Sequence, residues 1–85
     1  MLKKMEKAIV IAEWRRSQTE RIKVTLEWFR GRNVGALRTW WTDKDVKDRP
    51  GRHGITLDVV HVPKLAMVFK RARKHAKKAG LIDES

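Results

Sequence analysis

The sequence predicts an α+β domain in which four β-strands come first and a single helix closes the chain. Three observations predict it. From Arg21 to Phe29 the residues alternate strictly, with Ile22, Val24, Leu26 and Trp28 on one face and Arg21, Lys23, Thr25, Glu27 and Phe29 on the other, which is the period of a half-buried strand. Gly31 then supplies a tight turn, and the chain returns as a second strand from Val34 to Thr42. After Pro63, the residues Leu65, Val68, Phe69, Ala72, Ala76 and Ala79 recur at helical spacing.

The remaining elements follow in chain order. Residues 1–7 are mostly polar and read as an N-terminal arm, frayed or entering a helix; the domain spans 8–82 and a tail 83–85. Ile9-Val10-Ile11 argue for a strand over 8–14, because β-branched residues lose rotamer freedom in helices. The competing pattern is a helical stripe of Leu2, Met5, Ile9 and Ala12. Arg15 to Glu20 is a polar interval of hairpin length, and Asn33 tolerates the left-handed region beside Gly31. Gly35 suggests a bulge or a close backbone approach. Under strict alternation Arg38 and Trp40 share a face and Trp41 takes the other; a bulge would change that.

Residues 43–53 read as the longest interval without regular structure, ending in the turn dipeptide Pro50-Gly51. Asp43, Asp45 and Asp48 invite a calcium-loop reading, but no closing Glu follows and no metal is expected. Gly54 to Leu57, extendable to Val62, forms the last strand, and the helix begins near Pro63, where a missing N–H costs nothing. An earlier start with Asp58 as N-cap would enclose Pro63 within the helix. Lys77 and Lys78 complement the helix dipole, and Gly80 with Leu81 reads as a C-terminal cap.

Charge narrows the function. The 85 residues hold 21 Lys and Arg against 10 Asp and Glu, a formal +11, which favours polyanionic partners, nucleic acid before membrane. No apolar run is long enough to span a bilayer. With no Cys there is neither a disulfide nor a thiolate site, and His53, His61 and His75 lack the spacing of a metal site or catalytic dyad, so neither an enzyme nor a cofactor is expected. Between Trp28 and Trp41, aromatic rings alternate with Arg30, Arg32 and Arg38. Rings stack bases and cations hold phosphates, the two requirements of single-strand binding; a hairpin with tryptophans in its core is the alternative.

The helix is basic through Lys70, Arg71, Arg73, Lys74, Lys77 and Lys78, either a second nucleic-acid contact or a solvated face. Its apolar side narrows to alanines, so a helix-to-helix dimer contact through Leu65, Phe69, Ala72 and Ala76 is expected of a chain short of core.

Three blocks carry a family likeness: Val24 to Arg32, Leu37 to Trp41, and Arg49 to Leu57 followed by a helix. In order and spacing, over residues 21 to about 79, they resemble the single-stranded-DNA-binding domain of the transcriptional coactivator positive cofactor four family, in its compact bacterial and phage form. The resemblance implies a curved antiparallel sheet of four strands plus a helix, and a homodimer with paired channels for single-stranded or melted DNA. It implies stacking by Phe29 and Trp41, and phosphate binding by Arg30, Arg32, Arg38, Arg49, Arg52 and His53, the last replacing a Lys. It also implies transcription machinery as a partner, and a cytoplasmic, nucleoid-associated location for a bacterial or phage protein or a nuclear one for a eukaryotic protein. Glu27, at a position basic in eukaryotic members, and the longer approach from Asp58 to Val62 are departures. An RNA binder and a basic structural or protein-interaction module remain the rival readings, since stacking and phosphate contacts alone do not report the 2′-hydroxyl.

Overall fold

Arg30 and Gly31 both take positive φ, 49° and 81°, so the chain reverses in two residues with a backbone twist that matches its flanking strands. That turn joins the two longest-paired strands of the computed structural model, which describes residues 3–42 and 48–83, excluding the side chains of Asp48 and Arg52. The elements are β1 (Ile9–Arg15), β2 (Glu20–Phe29), β3 (Arg32–Thr42), β4 (Asp48–Asp58), a 3-10 turn (Val59–His61) and α1 (Val62–Lys78). The strands form one curved antiparallel sheet in the order β1-β2-β3-β4. From Phe29 opposite Arg32 to Glu20 opposite Trp41, β2 and β3 pair without a break.

Irregularity falls on the edge strands. Ile11 is the extra residue where β1 shifts register between Val10 and Ala12. On β4, Gly54 pairs with Arg38 but Pro50 pairs with Trp40, so residues 51–53 bulge opposite Thr39. Thr39 Oγ1 donates to the His53 carbonyl at 3.1 Å, and an Arg38 guanidinium N–H donates to the Gly51 carbonyl at 3.4 Å. Gly51 is needed there: a Cβ would lie 2.7 Å from Thr39 Oγ1 and 2.9 Å from the Thr39 carbonyl oxygen.

Three expectations are corrected. Part of the interval expected to lack structure, from Asp48 onward, is strand, because Pro50 sits on an edge strand where its missing N–H is tolerated; Asp43 and Asp45 lie outside the described residues. Gly35 marks no bulge, pairing in register with Leu26 and Leu57. A Cβ there would come within 3.2 Å of Val62 Cγ2, so a side chain, not a backbone, requires the glycine. The left-handed residue beside Gly31 is Arg30, not Asn33. Asn33 instead ties down residues 3–5: its Oδ1 accepts from Met5 N–H at 2.8 Å and its Nδ2 donates to the Lys3 carbonyl at 2.7 Å. The expected helix start holds: α1 begins at Val62 with Pro63 in its first turn, and Asp58 caps the preceding 3-10 turn by accepting from Val60 N–H at 3.3 Å.

At its other end α1 closes with Gly80 at φ 73°, Leu81 N–H donating to the Ala76 carbonyl at 2.8 Å and Gly80 N–H to that of Lys77 at 3.2 Å. These are the paired bonds of a glycine-terminated helix. The core is small: Val34, Ala36 and Thr39, on β3, are at most 6% exposed, while Leu65, Val68 and Phe69 of α1 are open by 38–61%. Replacing Gly51 by Ala should cost about 1–3 kcal/mol, the usual penalty of a forced shift in packed surroundings. Urea unfolding that leaves the midpoint where it was would show that the bulge can absorb a methyl group.

Candidate nucleic-acid interface

Because β2 and β3 pair without a slip, opposite residues share a face. One face carries Ile22, Val24, Leu26 and Trp28 with Leu37 and Thr39; the other carries Lys23, Glu27 and Phe29 with Arg32, Arg38 and Trp40. On this second face Val34 and Ala36 are small and covered, which leaves a low floor between longer side chains. Ring and charge gather at its two ends. At the turn, Phe29 is 47% exposed with the Arg30 guanidinium 5.1 Å from its ring centroid, while Arg32 stands opposite it. Toward the far end, Lys23 and Arg38 are cross-strand partners, and the Lys23 ammonium lies 4.2 Å from the centroid of Trp40.

The structure thus brings Phe29, Arg32 and Arg38 to one face, with Arg30 at its margin. It places Trp41 on the opposite, apolar face, across from Glu20 and Arg49, half-exposed at 50%. Strict alternation therefore holds on β3. The bulge that would have turned Trp41 over occurs on β4 instead, where it displaces Arg52 and His53 from the ladder; His53 is exposed. Lys23 and Trp40 join the charged face unassigned by residue type alone, and the signal for both was the period-two pattern. Glu27 and Asp58 both neighbour this face opposite Val34, and Asp58 lies 3.8 Å from the Arg32 guanidinium, whose side chain is 69% exposed. An ion pair so open to water holds its partner weakly.

Leu65, Phe69, Ala72 and Ala76 share one stripe of α1, with Phe69 the most open of the large ones at 61%. Among the described residues no group of three or more His, Asp or Glu could hold a metal ion, and no helix is long and apolar enough to cross a membrane.

Sequence comparison decides the family. The model for transcriptional coactivator p15, PC4, matches residues 16–67, over half of the chain. The chain belongs to the PC4 family. Among solved structures, a PC4 homologue of Burkholderia pseudomallei superposes with a TM-score of 0.69 at 25% identity, covering 84% of this chain and 96% of that one. Its second crystal form gives 0.68 at 27% identity, covering 79% and 98%. A bacteriophage T5 homologue of the eukaryotic coactivator PC4, implicated in recombination-dependent DNA replication, shares the fold with a TM-score of 0.57 at 17% identity over 88% and 81%. No curated protein sequence matches. The PC4 match covers β2, β3, β4 and the start of α1, the elements that build the charged face.

Arg30 breaks a local rule within that PC4 fold. The first centre of such a turn favours Asn, Asp or Gly, and a side chain with a Cβ pays about 1–2 kcal/mol for left-handed backbone. The strain is carried by a long cation beside an exposed ring. Arg30→Asn should therefore raise the thermal unfolding midpoint slightly. A fall in that midpoint would mean that Arg30 is retained for folding.

Proposed function

We propose that this PC4 family member binds single-stranded or melted DNA with little sequence preference, in transcription, replication or repair. The observation that carries the reading is the Phe29–Arg30 pair: an open ring and a guanidinium at one turn, on the face that also presents Arg32, Arg38 and Lys23. A base stacks on the ring and its phosphates meet the cations, with about 1–3 kcal/mol from each stacked base. Trp41, beside Arg49 at the other end of β3, lies on the apolar face and stands outside this charged surface. Arg52 and His53 are further phosphate contacts on the same reading. The likeness to PC4 homologues of bacteria and phage supports a DNA partner, and the transcription machinery is a further partner on the same grounds.

The functional unit is proposed to be a homodimer, which explains the open apolar surface. Ile9, Trp14, Leu37 and Ile55 on the sheet, and Leu65 and Phe69 on α1, are each 38–61% exposed, far too much for a stable isolated domain of this length. A second copy covering that surface supplies the missing core, and both charged faces remain outside it.

Phe29→Ala should leave the fold intact, because the ring is half in solvent, yet weaken single-strand binding about 5- to 150-fold, the equivalent of one lost stack. Duplex DNA, whose bases already stack on one another, should lose much less. Equal losses on both substrates, or none, would leave charge alone as the source of binding, and matched RNA in the same titration separates the RNA reading. Log affinity for a single strand should also fall with log salt at roughly −0.7 per phosphate neutralised, and Arg32→Ala should flatten that slope on every sequence alike. Assembly is read separately: ultracentrifugation should give twice the 10.0 kDa chain mass, and Phe69→Asp should dissociate or unfold the protein. A monomer at micromolar concentration would remove the dimer.

A further inference from the structure

Helix α1 presents a second charged surface that the sheet does not explain. Its sequence, Val62–Lys78, contains Lys64, Lys70, Arg71, Arg73, Lys74, Lys77 and Lys78 and not one Asp or Glu. A merely solvated helix face ordinarily mixes signs, because Glu and Lys four apart stabilise it and like charges at that spacing destabilise it by about 0.2–0.5 kcal/mol per pair. Here Lys70 and Lys74, Arg73 and Lys77, and Lys74 and Lys78 are all such like pairs. The helix accepts this repulsion with no acidic residue of its own to relieve it.

Geometry separates these cations from the apolar stripe. At 100° per residue, Leu65, Phe69, Ala72 and Ala76 fall on one side. The row Arg71, Lys74, His75 and Lys78 lies on the other and lines a shallow exposed groove of its own. Within the row, Arg71, Lys74 and Lys78 follow one another about every 5 Å of helix axis, a spacing within reach of successive phosphates, which rise about 3.4 Å apart along each strand of duplex DNA. No Trp or Tyr lies on α1, and its one Phe, Phe69, belongs to the apolar stripe. A surface with dense charge and no stacking platform suits a backbone whose bases are already stacked.

We propose that the basic row of α1, centred on Arg71, Lys74 and Lys78, binds the phosphate backbone of double-stranded DNA. The site is separate from the sheet face, so that one molecule can hold a single strand on β2 and β3 and the adjoining duplex on α1.

The test compares the Arg71→Gln, Lys74→Gln, Lys78→Gln triple variant with a Lys3→Gln, Lys4→Gln, Lys7→Gln variant of equal net charge and with Phe29→Ala. Gln keeps helix propensity, and circular dichroism checks that α1 persists. Each protein is titrated with a blunt duplex, with one of its strands alone, and with the same duplex carrying a single-stranded tail. The helix variant should lose at least about tenfold on the duplex, with a salt slope shallower by roughly 0.9 for each contact removed. It should also lose the advantage of the tailed duplex over the free strand, while binding the free strand within about twofold of wild type. Phe29→Ala should show the reverse order, so failure of the sheet site and failure of the helix site look different. Duplex binding unchanged by the helix variant, an equal loss in the N-terminal variant, or an equal loss on the free strand would each overturn the proposal.

Discussion

Everything on this sheet depends on a turn of two residues. With positive φ at Arg30 and Gly31, Phe29 must stand opposite Arg32, and each later pair along β2 and β3 is then fixed. A slip of one residue would set Phe29 and Lys23 of β2 on the same side as Leu37 and Thr39 of β3, and turn Ile22, Val24 and Leu26 toward Arg38 and Trp40. The register therefore does two jobs: it segregates charge from hydrophobic surface, and it places a ring beside cations on the charged side. The uninterrupted pairing of β2 with β3 leaves irregularity to the edge strands, where β1 and β4 carry their bulges.

How much of this could be read in advance follows from the range of each interaction. The period-two run of β2, the glycine turn, the return strand and the α1 stripe are local patterns, and the structure bears them out. So does the Gly80 cap, whose hydrogen bonds lie within six residues. What escaped were contacts between residues far apart in sequence. Gly35 looked like a bulge because nothing near it in the chain requires a glycine; Val62, packed from the start of α1, does. Asn33 looked like a turn residue, yet its amide is used by Lys3 and Met5. The stretch from Asp48 reads as loop because Pro and Gly interrupt it, and it becomes strand only because the paired β3 offers its edge.

The candidate site divides along the same line. Phe29, Arg30 and Arg32 were legible because they adjoin the turn that positions them. Arg38 and Trp40 followed from alternation, and Lys23 came with them through pairing. Trp41 could not be placed without knowing which strand bulges, and Thr39 shows why it is β4. Its hydroxyl and the Arg38 guanidinium together hold the bulge carbonyls at Gly51 and His53, while β3 itself keeps strict pairing with β2.

Arg38 therefore stands in two networks. Its guanidinium donates to Gly51, yet a guanidinium has five N–H donors in a fixed fork, so one can hold the bulge while the rest face the charged side. Lysine at this position would bring a single ammonium on a flexible stem, which cannot serve both directions at once. The same reasoning separates Arg38 from Arg32, whose exposed side chain has only the 3.8 Å pair with Asp58 to orient it. Of the two, Arg38 is the more firmly held and has less side-chain entropy left to lose.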